Sequence, residues 1–293
     1  MTVRTVNGAF EDFLARLVPT EAQRKAGQTH RSTVKAALEA KLTVNSFFET
    51  GSFTHGTGVR GHSDIDALVS IGNIKPDTSA TALAWVKRAL EARFPNSDVT
   101  IRRPAVVIKF AGGYETWEVI PGFLTGRGTT DQYVYDIPGP TVDVGWIDSA
   151  PKEHLGYVNE CNVAPHQGDA KDLARLLKAW KYANSVPVSS FYLEMRCAQH
   201  VAKQTTYVHV WDVRQMLEEL SSMELGPMND PRGATGRIYA CSTGAKATDA
   251  LSKLKTAATR AHKALDAYNA DDFAATFVYL DLLFGGNFPA RVY

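Results

Sequence analysis

The sequence predicts an α+β fold: a mixed α/β first half followed by an all-helical second half, joined near residues 150–165. Two observations carry this. Short apolar runs rich in β-branched and aromatic residues, Val44–Thr50, Ile65–Ile71, Val99–Phe110 and Thr116–Ile120, are confined to the first half. After Pro151 the patterning turns to the 3.6-residue period of amphipathic helices.

Taken in order, Phe10–Val18 and Ala22–Leu42 are helical by period, with Val34, Ala37 and Leu38 on one face. Val44–Thr50 reads as a strand, Gly51–Gly61 as a Gly-rich turn, and Ile65–Ile71 as a second strand. Ser79–Phe94 carries the stripe Ala82, Leu83, Val86, Leu90, Phe94 of a helix. Two further strands flank a hairpin turn at Ala111-Gly112-Gly113, the second ending at Pro121. Thr125–Pro151, rich in Gly, Pro and Asp, reads as loop with short strands. Ala170–Ala183, Ser190–Ala202, Val210–Met223, Ala245–Tyr268 and Ala274–Phe284 read as helices, and Met223–Thr243 as a long connection. A boundary near 155 divides a lobe of residues 1–155, with its N-terminal helices, from a helical lobe of residues 156–293. A cleft between two such lobes is a favourable place for a ligand.

The 293 residues are 44% hydrophobic and 22% charged, an ordinary globular composition, and suffice for a full core. A net charge of +1 argues against a long nucleic-acid ligand, whose phosphates demand a basic surface, but is compatible with mononucleotides. Cys161, Cys197 and Cys241 are odd in number and form no C-x-x-C pair, so reduced thiols are expected. There is no secretory leader layout and no run of ~18 apolar residues, which points to a cytoplasmic protein with no membrane partner.

The chemistry is concentrated between Gly51 and Asp66. Asp64 and Asp66 are one residue apart at a strand, so alternation puts both carboxylates on one face. Such a pair repels itself unless a cation intervenes, and hard oxygen ligands select Mg²⁺ or Mn²⁺. At the other end of the segment, Gly51-Ser52 can offer backbone N–H groups and a hydroxyl to a phosphate. Glu118, in Trp117-Glu118-Val119-Ile120-Pro121, is the best third carboxylate. Two ions sharing Asp64, Asp66 and Glu118 would serve in-line phosphoryl transfer. His55 and His62 lie in the same loop. Arg60 reads either as a phosphate neutraliser or as a carboxylate's partner.

These residues resemble the DNA polymerase β-like nucleotidyltransferases, and more narrowly the cGAS/DncV-like bacterial enzymes (CD-NTases) of anti-phage (CBASS) defence. The resemblance covers most of the chain. It rests on Gly51, Ser52, Thr57, Val59, Arg60 and Ser63–Asp66, on Glu118–Pro121, on Gly145–Pro151, on Tyr157–Asn159, on Leu176–Lys181 and on Ser189–Glu194. One departure is Glu118, where the family usually has aspartate.

The resemblance implies a polymerase β-like lobe with a mixed sheet, packed on the helical lobe with the active site between them. It implies synthesis of a cyclic di- or trinucleotide messenger from nucleoside triphosphates, with two Mg²⁺ ions and release of pyrophosphate. Lys178 matches a phosphate-contacting lysine, Ser190 a phosphate-binding serine, and Phe191 an aromatic that stacks on a base. Without the resemblance, Lys178 and Lys181 read equally as a solvated helix face, and Phe191 as core. Glu194 reads as an orienting group, and the five tryptophans as packing residues. The alternatives are a linear oligonucleotide synthetase, a transferase that modifies a small molecule or protein, and a catalytically dead nucleotide sensor. Presence of all three carboxylates disfavours the last.

Overall fold

A computed structural model describes residues 3–21, 25, 29–62, 64–111, 116–128, 132–163 and 167–292. Among these residues the first half supplies helix α1 (Val6–Leu17), helix α2 (Arg31–Glu39), strand β1 (Val44–Thr50), the short helix α3 (Gly51–His55), strand β2 (Ile65–Ile71) and helix α4 (Ser79–Arg93). Strands β3 (Asp98–Arg102), β4 (Ala105–Lys109), β5 (Thr116–Leu124), β6 (Tyr135–Pro138) and β7 (Trp146–Ser149) follow. The second half contributes α5 (Pro151–Cys161), α6 (Asp169–Ala183), α7 (Ser190–Val201), α8 (His209–Ser222), the small hairpin β8 (Met228–Asn229) and β9 (Arg237–Ile238), α9 (Gly244–Asn269) and α10 (Phe273–Leu283).

The seven strands β1–β7 form one mixed sheet, ordered β1-β2-β5-β4-β3, with β6 and β7 continuing from the far end of β5. The β2–β5 pair is parallel, and the other pairs are antiparallel. One face carries Ile65, Ala67, Val69, Val106, Ile108, Trp117 and Val119, and packs against Val34, Leu38, Leu83, Val86 and Leu90 of α2 and α4. That burial explains why the β2 and β5 runs are so apolar on alternate residues. The opposite face carries a smaller apolar cluster, Leu68, Tyr135 and Ile137 with Phe48, Ile120 and Ile147 around it. The rest of that face also carries polar groups, Asp66 and Glu118 among them.

Several local expectations are revised. Gly51–His55 is a single helical turn rather than an open loop, closed by Gly56 in the left-handed conformation (φ +70°). Strand β5 continues through Pro121 to Leu124. Its pairing with β4 ends at Val119 and its pairing with β6 starts at Phe123, so the missing N–H of Pro121 falls where neither antiparallel neighbour asks for one. Helix α5 occupies the expected join, with Pro151 at its first turn, and was hidden by its polar composition. The hairpin glycines Gly112 and Gly113, Ser63, and residues 22–24 and 26–28 of the second expected helix lie outside the described residues.

The two cores do not divide at residue 155. Val6, Ala9, Phe10, Phe13 and Leu14 of α1 pack among α6–α10 in the helical core. Phe10 meets Phe288 and Phe284 edge-on, and Phe13 does the same. Arg4 N–H donates to the Arg291 carbonyl at 2.8 Å, tying the start of the chain to its end. Among the described residues no helix is long and apolar enough to cross a membrane. Cys161 and Cys197 are buried free thiols, and Cys241 is a half-buried one.

Candidate active site

The sheet register sets the site. Thr50, Asp66, Glu118, Val107 and Thr100 are successive cross-strand partners, so their side chains form one row on one face. Asp64, two residues before Asp66, and Arg102, two residues after Thr100, share that face. The parallel register of β2 and β5 thus brings Asp66 beside Glu118, the third carboxylate that the sequence proposed. Both keep part of their surface open.

Gly51 closes one side. Its φ is +66°, and a Cβ there would lie 1.9 Å from Asp66 Oδ2, so only glycine permits β1 to turn this close to the carboxylate. The Ser52 backbone N–H donates to Asp66. Burial pushes the Asp66 carboxyl up to about 7, and the charge of Asp64 adds to the rise; Lys178, the Ser52 amide and His55 oppose it. A carboxylate so placed lacks positive charge.

Among the described residues no three His, Cys, Asp or Glu side chains stand close enough together to enclose a metal ion. The Arg102 guanidinium lies between two of the three carboxylates, donating to Asp64 Oδ2 at 2.9 Å and to Glu118 Oε1. The donor set is nevertheless all hard carboxylate oxygen on one face, one member is short of positive charge, and a cation already bridges the other two. These residues therefore fit a divalent ion.

The helical lobe supplies the opposite wall. At its centre Glu194 is fully buried, and both oxygens are used: Oε1 on His55 Nδ1, Oε2 on Lys178 Nζ at 2.7 Å and on Thr57 Oγ1 at 2.5 Å. Burial alone would push this carboxyl up; Lys178 and His55 override it and hold it well below the usual carboxylate range. Lys178 also donates to Thr57 Oγ1 at 2.7 Å. Arg175 donates to the Gly58 and Gly56 carbonyls. The loop between Gly51 and Asp64 is therefore pinned to α6 and α7 by buried polar bonds.

Lys178 is not on a solvated face: its ammonium is buried and engaged by Glu194 and Thr57. Lys181, one helical turn on, reaches Ser190 Oγ at 2.6 Å, and Tyr182 Oη is 3.3 Å from the same hydroxyl. Among the described residues no carboxylate pairs with Lys181. Burial, with the like charge of Lys178, lowers it to about 8. Ser190 itself is fixed because Ser189 caps α7, its hydroxyl accepting from Tyr192 N–H.

Phe191 is 36% exposed, not core, with its ring edge-to-face on His154 at 4.9 Å. His154 Nε2 lies 3.2 Å from Asp230 Oδ2. Asp230 in turn accepts from the backbone of Arg232 and Thr235 and holds the β8–β9 loop beside Phe191.

Other loop residues take structural parts. His55 is buried on Glu194. His62 stacks on Tyr182 at 4.4 Å. Arg60 donates to the Val18 carbonyl at 3.0 Å. Of the tryptophans Trp117 and Trp180 are buried, whereas Trp211 is exposed. Sequence reasoning missed Arg102 and the His154–Asp230 pair, which lie in none of the motifs; Thr57 and Lys181 stand within the Gly51–Asp66 and Leu176–Lys181 motifs, but the sequence assigns neither of them its partner.

The profile of the Second Messenger Oligonucleotide or Dinucleotide Synthetase domain matches residues 4–162. Among solved structures the chain is similar to CdnC of E. coli MS115-1 with ATP, at 17% identity and a TM-score of 0.78, over 97% of this chain and 99% of that one. The same protein in a complex described as CdnC:HORMA-deltaN gives 16% identity and 0.76, over 97% and 98%. A point mutant of the Vibrio cholerae di-nucleotide cyclase DncV, with ATP, GTP and 5MTHFGLU2, gives 14% and 0.71, over 99% and 98%. No curated protein matches the chain.

Proposed function

Because the chain belongs to the Second Messenger Oligonucleotide or Dinucleotide Synthetase family and is a nucleotidyltransferase of the polymerase β-like fold, we propose that Asp64, Asp66 and Glu118 form the catalytic floor on which it joins nucleoside triphosphates into a cyclic di- or trinucleotide. The observation that carries this is the in-register row of Asp66 and Glu118, with Gly51 and Ser52 closed over it. Divalent ions, two Mg²⁺ or Mn²⁺ held by the three carboxylates, would neutralise phosphate charge and favour ionisation of the acceptor hydroxyl.

The chain's own residues divide the remaining work. Gly51 and Ser52 present amide and hydroxyl groups to the donor phosphates. Lys181 and Ser190 take the triphosphate from the helical side, a compact cation and a hydroxyl already in contact. Lys178 supports them from behind. Phe191 offers its exposed ring face to a base, a contact worth ~1–3 kcal/mol and tolerant of base identity. Glu118 accepts the proton of the acceptor 2′- or 3′-hydroxyl. That oxygen attacks the donor α-phosphorus, the α–β anhydride breaks, and pyrophosphate leaves in line. A second transfer closes the ring.

In this reading α1 belongs with the helical lobe and α2–β7 form the catalytic lobe. The protein works in the cytoplasm as part of anti-phage signalling. Since a similar protein is found with a HORMA protein, a regulatory partner is proposed here too.

The test is direct. Incubation with the four nucleoside triphosphates, singly and in pairs, with Mg²⁺ or Mn²⁺, should yield cyclic products and pyrophosphate by mass spectrometry. The D64A/D66A variant should remain folded and make none. Full turnover by that variant removes the proposal. Linear products alone would favour a linear oligonucleotide synthetase.

A further inference from the structure

Arg102 has no place in that scheme, yet its guanidinium occupies the centre of the acidic row. It stands on the edge strand β3, with 62% of its side chain exposed. Its cross-strand partner is Ala105, whose methyl is too short to stop the guanidinium lying across β4. From there it reaches Glu118 on β5 and Asp64 before β2. Asp66, the third carboxylate of the row, is left out of this bridge.

As a structural brace such a contact is weak, because exposed ion pairs are largely offset by lost hydration and side-chain entropy. As local charge balance it matters more. Asp64 and Glu118 are close enough to share one guanidinium, and two carboxylates at that range repel when nothing lies between them. The same oxygens are the ones a divalent ion would use. A guanidinium cannot be deprotonated away near neutral pH, so it can leave only by moving.

We propose that Arg102 is a resident counter-cation. It holds Asp64 and Glu118 together in the metal-free protein, competes with divalent ions for them, and is displaced from the row when an ion enters. This rests on the reading that those carboxylates bind metal. The consequence is a positioning residue that raises the metal concentration needed to fill the site while keeping the site assembled.

The test is a Mn²⁺ titration of the nucleotide-free protein, following free Mn²⁺ by electron paramagnetic resonance. R102A should bind Mn²⁺ about two- to fivefold more tightly than the natural protein, the range expected from removing one exposed competing charge. R102K, which keeps the charge but not the fork that spans two carboxylates, should fall between. Both should melt within a degree or two of the natural protein. Unchanged or weaker Mn²⁺ binding by folded R102A overturns the inference. D64N run in parallel separates the two ideas. If D64N fails to weaken Mn²⁺ binding, the metal-site reading falls; if it does weaken it and R102A changes nothing, only the role of Arg102 falls.

Discussion

Asp66 and Lys181 are two groups of the site that burial moves toward neutrality from opposite sides. Burial, and then Asp64, raise the Asp66 carboxyl to about 7 in the metal-free protein. A raised carboxyl means the folded state holds its proton longer than the unfolded chain. This group's contribution to stability is therefore best below pH 4 and is lost as pH rises through 7. D66N should raise the metal-free melting temperature at pH 8, and the gain should shrink as pH falls toward 4. Differential scanning fluorimetry in chelator checks this; an equal gain at both ends would contradict it. Lys181 is the opposite case. Burial, then Lys178, lowers it to about 8, and only its protonated form suits a phosphate. The KM for nucleoside triphosphate should climb as pH passes from 7.5 to 9. K181M should start from a higher KM and lose that slope.

At the scale of elements, the junction of α3 and its following loop with α6 and α7 is an ion-pair network closed to water. Removing one charge from a buried pair costs about 3–5 kcal/mol, because the partner stays behind uncompensated. E194Q should lower the stability measured in urea by that amount, by stranding Lys178 and His55. The depressed Glu194 carboxyl adds a pH signature. Its stabilisation is complete above the unfolded value near 4.5 and is lost as pH falls toward its folded value, so the E194Q deficit should fade in acid. A loss of less than about 0.5 kcal/mol at pH 7, far below the cost of a broken buried pair, would mean that the network is not closed.

Over the whole molecule, the two cores meet through that network while α1 reaches back into the helical core. Phe10 is completely buried, against His209, Phe284 and Phe288. F10A should therefore destabilise the protein by about 3–5 kcal/mol in urea, a full core deletion, although its ring partners all lie in the second half of the chain. A loss below about 1 kcal/mol would return α1 to the surface.

The sequence by itself determined the α+β class, the Asp64–Asp66 pair and Gly51-Ser52. It determined the strand and proline around Glu118, and the helix carrying Ser190 and Phe191. These are local: alternation, helical period and one special φ are written in neighbouring residues, and short motifs survive without knowledge of the rest of the chain. Only the tertiary structure decided that Asp66 stands beside Glu118, which is a matter of parallel register. Likewise it alone assigned Lys178 to Glu194 and Lys181 to Ser190, laid Arg102 across the carboxylates, and placed α1 with the helices. Each of these joins side chains from elements distant in the chain, and which of two neighbouring lysines is buried depends on packing that no sequence period encodes.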